Sequence, residues 1–364
     1  MMKWLEDALQ FFKKEKVYTA VLLIALACLI FSKYIPEKES KPAGDSPAVA
    51  KFEKAEDRLR EKIKKAGSIE KFMDQNPQYK TIFTLLFFLT GGALGIGIVL
   101  DGLLFFVPHW RNSFTVKCPE PEARWNIAVI FIVISRFLLI GFFLSGVIAF
   151  FLRFIPALRF SDNFYLLFHT MIMDIIGFLL ILDMLKRAGG VVSDIGLAIP
   201  SKNWFKELFV SWGFYLAMLP LFISVMLLLM ILSEIFHYAP EPHALVDVFL
   251  EEDKSSLMTL YSIFLGTIIG PILEEIFFRG FCYNVLKQRF GISVAMVVTS
   301  SFFAFIHGNT FAFWPVFILG MGLNYLYEKR GTLFSPIILH ITHNSLFIAY
   351  FFIAKQIVTR EGGF

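Results

Sequence analysis

Seven side chains in the last quarter of the chain have types and spacings that suit hydrolytic chemistry. In Pro271-Ile272-Leu273-Glu274-Glu275-Ile276-Phe277-Phe278-Arg279-Gly280, two adjacent carboxylates stand in an otherwise apolar run. At about 100° per helical residue their side chains diverge, so they cannot do the same thing. Glu275 and Arg279, four apart, share a face and form a natural ion pair, which leaves Glu274 to face the interior. A carboxylate in apolar surroundings suits a general base working on water, although two carboxylates lining a wet cavity would have the same pattern. His307 closes the apolar run that begins at Ser301, one turn after Phe303, and a lone histidine there is more often interfacial than reactive. His340 and Asn344, again four apart, align an imidazole and an amide that can donate two hydrogen bonds to a developing oxyanion. Taken alone, such a pair also serves as interhelical glue.

These residues must be positioned by membrane helices. Of 364 residues, 57% are hydrophobic and 18% charged, with 44 Phe, whereas a soluble domain carries roughly 25% charged residues. The apolar residues fall in runs at about 17–31, 81–107, 127–152, 163–185, 208–236, 257–277, 292–306, 311–327 and 334–354. The expectation is all-α: a polytopic transmembrane helical bundle of eight or nine spans. The net charge of +4 is too small for a nucleic-acid footprint, so no nucleic acid partner is expected. Cys28, Cys118 and Cys282 are far apart and without metal-ligand spacing, which points to neither a disulfide framework nor a cysteine site. The run from Val17 to Phe31 continues past a small-x-small pattern, so an uncleaved first span is expected rather than a secretory signal.

A linker from Lys41 to Pro47 precedes a stretch, Lys51 to Ala66, whose apolar positions recur at helical spacing among seven basic and four acidic residues. This amphipathic helix should stop at Gly67 and either lie on anionic lipid or pack on its own protein. Trp110, Trp125 and Trp204 stand at run edges, as interface aromatics do. With the N-terminus in the cytoplasm, sixteen Lys and Arg fall in inside segments and five in the short outside segments, while the long loop 33–80 holds twelve more. That bias predicts a multi-pass protein of the plasma (inner) membrane with a cytoplasmic N-terminus. No internal repeat is visible, and Glu361-Gly362-Gly363-Phe364 is not a lipidation signal. Ionisable residues within spans cost at least ~2.5–3.5 kcal/mol each near a helix centre. Asp101 and Arg136 are expected to pair across helices, Asp183 to be wet at a span end, and His169 and Asp174 are unassigned.

The motifs EExxxR at Glu274 to Arg279, FxxxH at Phe303 to His307 and HxxxN at His340 to Asn344, in this order on successive apolar segments, resemble one family. It is the CAAX protease and bacteriocin-processing group of intramembrane proteases (CPBP, or Abi), which includes the type II CAAX prenyl endopeptidases. The resemblance extends back through Gly196-Leu197-Ala198 and Asn203-Trp204 to about Phe160. It implies a CPBP-like core over 160–364, preceded by an additional span in 111–159 and by an N-terminal extension, 1–110, with two spans and the charged loop.

The resemblance further implies an intramembrane peptidase. Glu274 would activate water with help from His307, and His340 with Asn344 would stabilise the oxyanion. Glu275, Arg279 and Phe303 would support them, and the substrate would be a peptide or protein in the bilayer, either CAAX-type or a peptide precursor. The family has been described both as metalloproteases and as glutamate-dependent proteases. Glu274, His307 and His340 could supply three zinc ligands, but the HExxH pairing is absent, and the expectation is no obligatory cofactor, with zinc as the alternative. A non-catalytic scaffold or bacteriocin-immunity-type binder, and a transporter using the same residues as a proton path, are competing readings. One tension follows from the runs as drawn. Glu274 and His340 lie toward the cytoplasmic ends of their spans and His307 at the far end of its own, which calls for a tilted or re-entrant segment or for shifted boundaries.

Overall fold

The computed structural model describes residues 3–32, 47–115, 123–155, 162–197, 204–238, 248–250 and 256–362. Cys118, most of the 41–47 linker, the start of the CPBP-like core near Phe160, and Ala198 and Asn203 lie outside them. The elements are helices: α1 Lys3–Lys14, α2 Lys16–Ser32, α3 Pro47–Ala66, α4 Ile69–Gln75, α5 Pro77–Phe106, α6 Pro108–Ser113, α7 Ile127–Phe154, α8 Asp162–Arg187 and α9 Trp204–Ile235. They continue with α10, Ser256–Phe290, then α11 Ile292–Ile306, α12 Phe313–Arg330 and α13 Phe334–Gly362.

The all-α membrane bundle is as the composition requires, but the number of spans is smaller. Among the described residues six helices, α5, α7, α8, α9, α10 and α13, are long and apolar enough to cross a bilayer. The apolar parts of α2 and α11 are shorter, and α12, with Asn324, Glu328, Lys329 and Arg330 in its C-terminal half, falls below the same mark. An apolar run does not by itself make a span, because its helix can be shorter than the hydrocarbon core is thick. The surface is that of a lipid-facing protein, with Phe87, Phe88, Phe105, Phe106, Phe142 and Phe143 all largely exposed.

Local signals set the helix ends. Asn126 caps α7 by accepting from Val129 N at 3.2 Å, and Pro77 and Pro108 occupy first turns. Gly67 terminates α3 at φ +84°, a left-handed geometry that favours glycine.

α10 is the organising element. One apolar cluster joins it to α7, α8, α11 and α12 through Ile130, Ile181, Tyr283, Ala295 and Tyr327. A second joins it to α9, α11, α12 and α13 through Tyr215, Phe278, Phe303, Leu323 and Leu339. Close approach needs small residues. A Cβ on Gly280 would stand 2.7 Å from the carbonyl oxygen of Ile195, and one on Gly320 would stand 3.0 Å from Cβ of Ser300.

One open alternative about the surroundings is decided and two expectations change. The amphipathic helix α3 packs on its own protein, with Leu59, Ile63 and Ala66 against Phe72, Tyr79, Ile353 and Ile357 near the end of α13. Trp125 is buried rather than interfacial. It stacks on Phe281 at 5.5 Å and donates its indole N–H to Phe281 O at 3.1 Å. Arg136 turns to Tyr18 Oη, 3.2 Å away, and toward Asp183 at 3.9 Å instead of meeting Asp101. Asp183 is held more closely by Arg187, at 2.8 Å.

Candidate active site

Within α10, two stretches, Leu265–Ile269 and Ile276–Tyr283, are wound one residue wider than an α-helix and flank the regular segment Gly270–Glu275. Such widened turns are frequent at functional sites. The first has a local cause. With bonds reaching five residues back, as Gly270 N does to Leu265 O, the partner of Gly266 O would be residue 271, and Pro271 has no N–H. Asn344 of α13 donates to that carbonyl instead, Nδ2 to O at 2.9 Å.

The second widened stretch carries the ion pair expected from spacing. Arg279 Nη1 donates to Glu275 Oε1 at 2.8 Å, with both side chains 0% exposed. The guanidinium also reaches Gly320 O at 3.3 Å and lies 4.6 Å from the centre of the Phe303 ring, a cation–π contact in a dry setting. Glu274, one residue earlier, points away and keeps 35% of its side chain accessible. The adjacent carboxylates therefore divide as helical geometry requires: one is locked in a buried pair and one is open.

His340 connects them. Its Nδ1 lies 2.8 Å from Glu275 Oε1, and its Nε2 lies 3.6 Å from Glu274 Oε2. The first is a hydrogen bond and the second an ion-pair distance. A carboxylate at Nδ1 fixes the ring orientation and places a proton on that nitrogen. Neutral His340 then presents the Nε2 lone pair toward Glu274, and doubly protonated it donates on both sides.

His307 caps the end of α11, with Nδ1 2.6 Å from Phe303 O, which leaves Nε2 as its working nitrogen. Phe303 is the hub, being fully buried. It carries the edge-on contacts of His307 at 4.7 Å and His340 at 5.7 Å. α11 has 15 residues, about 22 Å at 1.5 Å per residue, against a hydrocarbon core of about 30 Å. Glu274 falls near the middle of α10 rather than at an end, so the helix boundary lies farther from Glu274 than the apolar run 257–277 suggests.

All seven residues singled out in the sequence thus surround Phe303 or the wide turns of α10. Of the unassigned ionisable residues, half-buried Asp174 of α8 is in electrostatic contact with Glu274, while His169 pairs with Ser145 Oγ at 3.1 Å elsewhere. Spacing did not single out His343, whose Nδ1 is 3.4 Å from Tyr215 Oη and whose ring stacks on Phe222 at 5.5 Å. Nor did it reveal the buried cluster beneath the bundle, where Arg330 binds both carboxylate oxygens of Glu207 and the carbonyl of Phe114, and Ser335 donates to Glu207 at 2.6 Å. These partners are more than a hundred residues apart in sequence, and no local pattern announces them. Among the described residues no group of three His, Cys, Asp or Glu side chains is disposed to hold a metal ion. The set Glu274, His307 and His340 is not gathered into a zinc site.

A helical membrane protein that sets an open glutamate and two histidines on three neighbouring helices defines a class, and sequence comparison agrees with it. Residues 256–346 match the family model for type II CAAX prenyl endopeptidase Rce1-like proteins, a stretch that contains all three motifs. Over this stretch, a quarter of its length, the chain is similar to CAAX-protease-like (Rce1/CPBP) membrane proteins. It is 39% identical over 98 residues to the membrane-embedded CAAX protease MroQ of Staphylococcus aureus (strain USA300), across 24% of this chain and 38% of that protein. It is 27% identical over 86 residues to the putative membrane peptidase YdiL of Bacillus subtilis (strain 168), across 24% of this chain and 35% of that protein. The chain thus spans little more than a third of the length of these relatives. No solved structure matches it.

Proposed function

We propose that the chain is a membrane-embedded peptidase that hydrolyses a peptide bond of a membrane-associated peptide or protein. The observation that carries this reading is the placement of His340 between the locked Glu275 and the open Glu274. Water held at Glu274 gives up a proton to the carboxylate as its oxygen attacks the scissile carbonyl carbon. The proton then passes to the departing amine as the carbon–nitrogen bond breaks. His307 Nε2 helps hold the water. Protonated His340, with the second N–H of Asn344, stabilises the oxyanion, and Arg279 offsets the charge of Glu275 so that His340 keeps its orientation.

Accessible Glu274 beside fully buried Glu275 supports the division of roles between base and scaffold. The printed name of one relative, a CAAX protease, favours a CAAX-type substrate, and the bacterial sources of both relatives favour a bacterial plasma membrane. The test is cleavage of a quenched-fluorescent peptide library, including prenylated CAAX peptides, by detergent-purified protein with and without chelator. Glu274→Gln is expected to lower cleavage by about 10²–10⁴-fold, the usual contribution of a general base, and His307→Ala to act in the same direction. Near wild-type cleavage by folded Glu274→Gln would reject the role of Glu274. Peptide binding without cleavage by the wild type would favour a scaffold.

A further inference from the structure

A second site lies away from the glutamates. A cavity of about 650 Å³ opens where α7 begins and α8 and α10 end, and it is lined by Arg124, Arg187 and Arg289 together with Trp125, Met184 and Val285. Its size is in the range of small-ligand sites. Among the described residues, none of those lining it is acidic. Two carboxylates stand behind the guanidiniums. Asp194 meets Arg124 Nε at 3.3 Å, and Asp183 accepts from Arg187 Nε at 2.8 Å. Arg124 also donates to Gly189 O at 2.7 Å. These bonds orient the heads of Arg124 and Arg187 while using part of the five N–H donors that each carries.

We propose that this cavity binds the phosphate group of an anionic phospholipid. Three spans change from apolar helix to loop at this level, at Ile127, Arg187 and Phe290, so the cavity sits at a membrane boundary where lipid phosphates lie. Planar guanidiniums match phosphate oxygens by paired hydrogen bonds, and the walls of Trp125, Met184 and Val285 suit the glycerol and upper acyl carbons. Basic pockets between transmembrane helices bind anionic headgroups elsewhere. The site also touches the catalytic helix, since Trp125 in its wall donates to Phe281 O at 3.1 Å.

The experiment is calorimetric titration of the detergent-purified full chain with short-chain phosphatidylglycerol, phosphatidylcholine of equal chain length, and inorganic phosphate. Phosphatidylglycerol is expected to bind about tenfold more tightly than phosphatidylcholine, a difference of 1.4 kcal/mol. Arg187→Gln and Arg289→Gln should each remove most of that preference. Lys206→Gln, which deletes an exposed positive charge at the start of α9 outside the cavity, should leave it in place. Arg187 stands more than half exposed at a helix end, so its variant retains the fold even if Arg289→Gln does not. Equal affinity for the two lipids, undiminished preference in folded Arg187→Gln, or an equal loss in Lys206→Gln would overturn the proposal. Inorganic phosphate binding as tightly as phosphatidylglycerol would assign the cavity to a soluble anion and overturn the lipid assignment. None of these outcomes depends on peptidase activity.

Discussion

Asn344 offers a test that separates scaffold from chemistry. Its amide donates to Gly266 O at 2.9 Å, a carbonyl without a backbone partner because residue 271 is proline. Asn344→Leu keeps the side-chain volume but leaves that carbonyl unmet in an apolar setting, which costs about 1–3 kcal/mol. Pro271→Ala supplies an N–H at the position Gly266 O lacks. In the Pro271→Ala background, Asn344→Leu should therefore cost less, by about 1 kcal/mol. The four proteins of the cycle can be compared by denaturant unfolding in mixed micelles, with cleavage measured in parallel. Coupled sites in contact show interaction energies of about 0.5–3 kcal/mol, so the expected value is measurable. Two additive substitutions, with coupling below about 0.3 kcal/mol, would refute the account of the wide turn. Loss of cleavage with no change in stability would show that Asn344 acts on the substrate alone.

Three further outcomes follow from packing. Arg279→Met removes one partner of a fully buried ion pair and should destabilise by about 3–5 kcal/mol, with much of this recovered in the Glu275→Gln, Arg279→Met double variant on the same unfolding assay. Glu207→Gln leaves the buried Arg330 guanidinium without its counter-charge, and a loss of about 3 kcal/mol is expected, read as a lower unfolding midpoint with the peptidase residues untouched. Gly280→Ala sets a methyl against the carbonyl of Ile195 at 2.7 Å, a backbone atom that cannot swing aside, so about 1–3 kcal/mol should be lost. Gly213→Ala, where a Cβ meets nothing within 4 Å, serves as its control.

The sequence reveals most where an interaction is local. The Glu275–Arg279 pair, the divergence of Glu274, and the alignment of Phe303 with His307 and of His340 with Asn344 follow from the period of one helix, and the structure contains each. What no single helix encodes is harder to read. His340 could be placed on a face, but the choice of Glu275 as its anchor depends on how α13 crosses α10. Spacing marks Asn344 as a donor, but not that one of its N–H groups goes to Gly266 O, a carbonyl left open because a proline follows a widened turn 73 residues earlier. Trp125 resembled an interface residue because an aromatic at the edge of an apolar run has the same pattern whether it faces headgroups or a neighbouring helix. The difference between nine apolar runs and six helices long enough to cross a bilayer among the described residues has another root, since an apolar run does not fix the length of its helix.

The brevity of α11 sets a direction of approach. Val294, Val297, Val298, Phe305 and Ile306 leave one side of this helix largely uncovered by protein, yet at about 22 Å it falls short of the hydrocarbon it borders. A hydrophobic stretch shorter than the hydrocarbon thickness is met by a thinner bilayer on that flank. On the flank formed by α5, whose 30 residues reach about 45 Å, no such dip arises. Under the proposed function, a peptide moving along the membrane surface would cross less oil to reach His307 from the α11 side, and the same dip would shorten the path by which water arrives.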